Sequence, residues 1–556
     1  MKNRISANIL LLVLILSVFS TAVIAANYNE APVLKEMVKE GKLPAVEERI
    51  PAEPFVVEPI DKVGEYGGTA NVYNAIAPNL PFSAIFLMGR YGPFRTDRTG
   101  NPGEANLFKG YEVNEDNTEW TFHLREGIRW SDGVKLTAWN WYDQWIYFWG
   151  DDVLMPHITP DNLEVEEDSV TFYNEYAQKR TVKKEIVDDY TIKFTSDKPY
   201  PTLINRMTNM FGNDSQPIPM HFLKQFHPDV VAEKAAAKKA AKAGYDNWNQ
   251  LFDFYNPIAQ GHMTTNQVNS FAPTLSPYVL VEKNQNKLVF ERNPYFFKVD
   301  TDGNQLPYID KIVANYVTDV EILNGKIITG DTDMQAFSLK PENLPLFKKY
   351  EESAGYRTQV WNNAVNTAVY EPNYSYEDEV VSNLFKEKDF RKALSLSINR
   401  NAINEKILFG QGRPGDVTVL PSTKWYEGKF ETMNAYYDVE TAKELLDGLG
   451  VVDSDGDGWR EDPEGNEVTW VIEHQNGETP LGPVTEMVVN NWKEIGLNVS
   501  RKLTDPSLAG TRLGTNKMAM WVWHGDGRDS LVFPTFITRA LAPGFVGQYW
   551  KVWDDT

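Results

Sequence analysis

"WTFHLREGIRWSDGVKLTAWNW", Trp120–Trp141, carries the clearest local pattern in the chain. Trp120, Phe122 and Leu124 alternate with polar residues, the period of a strand with one buried face. Ser131-Asp132-Gly133 makes a turn, and Thr137 stands where it can cap a following helix. That helix, "AWNWYDQWIYFW", places Trp139, Tyr142 and Trp145 at three-residue steps. The expectation is a core-facing stripe on that helix.

The same alternation of strand and helix recurs along the chain. "EYGGTANVYNAI" reads as a Gly-Gly turn and a strand. "VVAEKAAAKKAAKAG" reads as a solvated Ala/Lys helix stopped by Gly244. "SPYVLVEKNQNKLVFERNPYFF" reads as a β-meander. "FRKALSLSINRNAINEKILFG" keeps Phe390, Ala393, Leu394 and Ser397 at helical spacing. "VETAKELLDGLG" is a helix, "EVTWVIEH" a strand, and "PVTEMVVNNWKEIGLNVSRKL" a helix, a Gly turn and a strand. Such alternation points to an α/β fold with mixed α+β lobes. With 556 residues the chain exceeds one ordinary core, so two or three domains are expected.

Charge and composition narrow the function. There are 55 basic against 77 acidic residues, a net charge of −22. Such a surface repels phosphate backbones, which excludes nucleic acid as a partner. Aromatics reach 13%, with 16 Trp, more than a core usually needs; some rings are expected to line a binding surface. There are 0 Cys, which excludes disulfides, thiolate zinc sites and thiol nucleophiles together.

The N-terminus sets the compartment. Lys2 and Arg4 form a basic n-region, Ile9–Phe19 an apolar h-region, and Ala25-Ala26 a small-residue cleavage site. Residues 1–26 therefore read as a signal peptide. Without a cysteine for lipid attachment, the mature chain is expected free in a periplasm. Catalytic signatures are missing: there is no HExxH, no GxSxG and no Walker loop. "GQGRPG", Gly410–Gly415, has glycines at dinucleotide-binding spacing but follows a helix rather than a strand, the wrong order for that motif.

Several segments in order resemble family 5 of the extracellular solute-binding proteins, which serve ABC importers of the peptide, nickel and oligosaccharide type. They are Trp120–Trp141, "DFRKALSLSINRNAINEKILFGQGRPG" (Asp389–Gly415) and "ERNPYFFKVDTDGNQLPYIDKIV" (Glu291–Val313), with the arm "GKLPAVEERIP". Asn399 stands where the family usually carries Asp. The resemblance implies a two-lobed periplasmic-binding-protein-like fold (type II, cluster C-like) with a hinged cleft and an extra domain in the first lobe. It implies a first lobe over 27–309, with about 82–190 inserted, and a second lobe over 310–525. Family members continue past the point where this chain stops, so 526–556 read as a return to the first lobe cut short.

The same resemblance implies a monomer without catalysis, delivering an oligopeptide or oligosaccharide to an inner-membrane ABC permease. A secreted glycan-acting hydrolase and a chemoreceptor-coupled sugar-binding protein are the alternatives. No cofactor is required. The resemblance places Asp526, in "WVWHGDG", where peptide binders hold an α-ammonium, although Gly527 replaces the Tyr expected next. Trp521 and Trp523 lie two apart and share a strand face. Tyr73 and Asn74 fall where the first lobe reaches the ligand, and Trp361 is a second-lobe candidate.

"DSDGDGWREDPE", Asp453–Glu464, spells a full calcium-loop pattern. Its ligands would be Asp453, Asp455, Asp457, the Trp459 carbonyl and Glu464. A sensor EF-hand needs a helix on both sides, and the exit here runs into the strand "EVTWVIEH". A structural calcium loop and a solvated Asp/Gly turn both stay open.

Overall fold

The computed structural model describes residues 28–525, apart from 76–81, 89–91, 98–100, 156–162, 174–179, 209–215, 257–270, 361–365, 419–420, 422–425 and 476–479. The signal segment, Trp361 and Asp526 lie outside the described residues. None of the described helices is long and apolar enough to cross a membrane.

Three cores organise the chain. The first strands are β1 (Phe55–Val57) and β2 (Thr69–Asn74). A short pair follows, β3 (Phe94–Arg95) and β4 (Glu104–Ala105). Then come β5 (Phe108–Val113), β6 (Glu119–Leu124), β7 (Leu163–Val165), β8 (Ser169–Phe172), β9 (Val182–Asp188) and β10 (Thr191–Ser196). These six form one antiparallel sheet in the order β5-β6-β10-β9-β8-β7. Trp120, Phe122 and Leu124 of β6 are buried, as their alternation requires.

The helix after the Ser131–Gly133 turn packs on this sheet, but with a different face. It is α-helical over Trp139–Gln144 and π-helical over Trp145–Trp149. Trp141, Trp145 and Phe148 are the buried rings, whereas Trp139 is exposed and hydrogen-bonds Asp189 through its indole N–H (3.1 Å). Residue Ala138 occupies the cap position and no side chain caps the helix, so Thr137 does not serve as expected. The buried rings follow the i, i+4, i+7 stripe of a helix, whereas strict three-residue steps from Trp139 drift off that face; Trp149 at the end of the π turn is buried as well.

The second core belongs to a four-stranded sheet. β11 (Tyr278–Lys283) and β12 (Lys287–Arg292) form the expected meander, followed by β13 (Lys298–Asp300) and β14 (Lys311–Tyr316). The order is β11-β12-β14-β2, with β14 parallel to β2. Ala70, Val72, Leu280, Leu288, Phe290, Ile312 and Ala314 fill its core. The boundary expected at 310 therefore falls inside this unit, because β14 completes the sheet that β2 begins. The inserted portion also exceeds 82–190: its core extends through Leu251 and Phe252 to Phe296 and Phe297.

The third core surrounds β15 (Asn366–Pro372), β16 (Thr469–His474), β17 (Asn498–Leu503) and β18 (Met520–Gly525), in the order β15-β18-β16-β17. The helix Leu481–Glu494 makes the crossover between parallel β16 and β17. "FRKALSLSINRNAINEKI" divides into two helices, Lys388–Leu396 and Arg400–Ile407. Asn399 caps the second by accepting the Ala402 N–H (3.0 Å), which an Asp would do equally.

β1 pairs in parallel with β13, bringing Phe55 opposite Lys298. Lys298 is buried, with its Nζ 4.7 Å from the Phe55 ring centre and 5.4 Å from that of Phe297. Burial pushes its ammonium down to about 7; Arg95 and Arg125 add repulsion and Glu104 opposes it. An unfolded Lys keeps its proton to about pH 10.4. Between those values the unfolded chain binds more protons, so stability rises with pH. Lys298→Met is expected to raise the unfolding midpoint most below pH 7, where the buried charge is fully present. The gain should shrink towards pH 10. Equal shifts at pH 6 and pH 9.5 would contradict this account.

Candidate functional site

β18 positions the two tryptophans. Met520 and Val522 point into the third core, so Trp521 and Trp523 share the opposite face. The helix Pro506–Gly514 lies against that face, with Ala509, Leu513 and Met518 packing on Trp521. A clamp holds this helix. Arg512 donates through Nε (3.0 Å) and Nη2 (2.7 Å) to the buried Glu473 carboxylate, which also accepts from the Thr504 hydroxyl (2.8 Å). The carboxylate holds the guanidinium above its ordinary pKa.

Trp521 is only 7% exposed and packs on Ala509 and Met518. Trp523 is half-buried and stacks on it, with ring centres 6.0 Å apart and planes 13° from parallel. The His524 ring centre lies 4.9 Å from that of Trp523. The arrangement is a fixed indole stack: a buried ring supports a second that also packs on the third core and is only half-buried, leaving part of its surface exposed. Such a surface suits the C–H side of a sugar ring or an apolar side chain. β18 runs parallel to β16, and its carboxyl end lies one residue before Asp526, where the described chain stops.

The first-lobe candidates divide in the same way. Tyr73 is half-buried beside Leu323, Ile327 and Phe347. Asn74 ends β2 and is buried on the core-facing side with Ala70 and Val72, and its carbonyl accepts the Val317 N–H (2.9 Å). Trp361 and Asp526 lie outside the described residues.

The acidic loop has a different membership from the one its spacing suggested. Asp453, Asp455, Asp457 and Glu461 bring carboxylate oxygens within 4.8 Å of one another. Glu464 is not of this group; its N–H caps Asp462 (3.0 Å). An antiparallel bridge between Val452 and Glu461 closes the loop three residues earlier and draws Glu461 inward. Glu461 is buried and accepts from the Ser454 N–H and hydroxyl (both 2.7 Å). Asp453 accepts from the N–H groups of Gly456 (2.7 Å) and Gly458 (3.0 Å). Gly456 and Gly458 both take positive φ, +83° and +98°, which glycine adopts without a steric cost. The oxygen set suits a hard cation, and it equally caps its own turn.

The model of the bacterial extracellular solute-binding proteins, family 5 (middle region), matches residues 104–541. The chain belongs to this family. The solute-binding protein resembles the periplasmic alpha-galactoside-binding protein of Rhizobium meliloti, with 27% identity over 502 residues, 84% of this chain and 66% of that one. The periplasmic oligopeptide-binding protein OppA of Haemophilus influenzae is 25% identical over 346 residues, 62% of this chain and 53% of that one. The chain thus spans about two thirds of the first relative and about half of the second.

Among solved structures, an oligopeptide-binding protein OppA superposes with a TM-score of 0.64 and 32% identity, over 90% of this chain and 75% of that one. MelB of Agrobacterium fabrum, solved in complex with stachyose, gives 0.70 at 22% identity, over 94% and 77%. The solute-binding protein therefore has the two-lobed periplasmic-binding-protein-like fold. The family and these relatives are binding proteins rather than enzymes.

Proposed function

We propose that this chain is the exported ligand-capturing component of an ABC importer, and that its ligand is a neutral oligosaccharide. The stacked Trp521–Trp523 pair at the end of β18 carries the reading. A rigid, partly exposed indole meets the apolar side of a pyranose without needing a charge. In a hinged two-lobed protein, contacts made from both lobes favour the closed state, which the permease then reads. The alpha-galactoside-binding relative supports the sugar. Export follows from the Lys2/Arg4 and Ile9–Phe19 pattern, with cleavage near Ala25-Ala26; the lobes then work as a monomer in the periplasm.

An oligopeptide is the second reading, favoured by the 32% identity to a solved OppA. Calorimetric titration with stachyose, mannohexaose and a neutral pentapeptide separates the two. Saccharide binding with the sugar recovered intact is the expected result. Peptide binding alone would reverse the ligand assignment, and cleaved saccharide would replace a binding protein by a hydrolase.

A structural calcium ion belongs to the same proposal, held by Asp453, Asp455, Asp457 and Glu461. Calcium is then expected to raise the unfolding midpoint by mass action, and chelator to reverse it. Identical midpoints would leave a capped turn.

A further inference from the structure

The turn between β11 and β12 borders a hollow of about 400 Å³ lined by Asn284, Gln285, Asn286, Lys287 and Asn315. Four of its five side chains are amides. Asn284 is spent on the turn: its Oδ1 accepts from the N–H groups of Asn286 (2.9 Å) and Lys287 (3.0 Å). Its Nδ2 donates to Glu282 (2.9 Å), which also holds Lys287 (3.1 Å). The only cation of the hollow is thereby neutralised. Tyr316 donates its N–H to the Asn286 carbonyl (2.7 Å) and fixes the turn to the end of β14. The side-chain amides of Gln285, Asn286 and Asn315 meet no partner among the described residues.

Strand register sets the direction of Asn315. Ile312 and Ala314 of β14 face the core, so Asn315 points to the opposite side. On β2 the core residues are Ala70 and Val72, so Tyr73 points the same way as Asn315, and the two are direct partners. Adjacent strands lie about 4.8 Å apart, so the two side chains leave the sheet side by side, and the Tyr73 ring packs on Leu323, Ile327 and Phe347. β2 and β14 run parallel, and both residues sit one short of the carboxyl ends.

We propose that this amide-lined hollow is a first-lobe subsite for a hydroxyl-rich, uncharged ligand unit, one pyranose of an oligosaccharide. The inference rests on the binding function proposed above. Each amide offers both donors and an acceptor, the pairing that vicinal hydroxyls need. A charged peptide terminus would find no uncompensated partner here, because Lys287 is already held by Glu282.

The test is calorimetric titration of the whole protein with stachyose and mannohexaose. Gln285→Ala/Asn315→Ala is expected to weaken saccharide binding about tenfold and leave the unfolding midpoint unchanged, since neither amide supports the fold. Gln285→Ala alone, on the exposed turn, gives the same reading on a smaller scale without risk to the sheet. If the parent protein binds saccharide and both variants bind it equally well, the subsite falls and the function stands. If the parent binds neither saccharide, the oligosaccharide reading falls and takes the subsite with it.

Discussion

Arg49→Met is expected to destabilise the protein by about 3–5 kcal/mol, the loss seen when one partner of a buried ion pair is removed. The Arg49 side chain is wholly buried and that of Glu30, its ion-pair partner, is 11% exposed. The guanidinium also donates to the Pro44 carbonyl (3.1 Å), the Gln305 side chain (3.2 Å) and the Pro294 carbonyl. It therefore ties the N-terminal arm to a segment some 250 residues later in sequence. Removing it leaves the Glu30 carboxylate without its counter-charge. Glu30→Met/Arg49→Met removes both charges and should recover at least half of the loss. Gln305 still donates to the Pro294 carbonyl (2.9 Å), so the groups newly left without this donor are the Pro44 carbonyl and the buried Gln305 Oε1. Urea midpoints of the two variants decide it. A double variant as unstable as the single would show that the pair's charge is not what the arm depends on.

The arm's partner lies far away in sequence, and distance in sequence explains most of what the residues did not disclose. The strand at Trp120–Leu124 was legible because alternation of apolar and polar residues has one structural solution. The helix after it was legible in place but not in face, because steps of three from Trp139 drift off a 3.6-residue face, and the stripe that is buried runs Trp141, Trp145, Phe148. The boundary expected at 310 falls just before β14, which finds its partner in β2, more than 230 residues earlier, and local pattern carries no trace of that pairing. In the acidic loop the spacing pointed to Glu464. The signal for Glu461 was present, eight residues from Asp453, but only the Val452–Glu461 bridge shows which glutamate turns inward. Family resemblance located the Trp521/Trp523 strand; only burial separates the supporting ring from the partly exposed one.

That separation makes opposite demands on two neighbouring residues. Trp523→Ala is expected to weaken stachyose binding about 30-fold, equivalent to about 2 kcal/mol, the scale of a tryptophan anchor. The midpoint should fall little, because Trp523 is only half-buried. Trp521→Ala should do the reverse first. Its ring is buried against Ala509 and Met518, and its loss leaves a cavity costing about 3–5 kcal/mol. Binding suffers in that variant only because the outer indole loses its support. Trp523→Phe keeps an aromatic face of smaller area and should recover part of the affinity. Titration calorimetry and thermal unfolding of the three variants read both axes. If Trp523→Ala binds stachyose within threefold of the parent while remaining folded, the indole platform is packing alone. The ligand must then be held by other groups, and the oligosaccharide reading loses the observation that carries it.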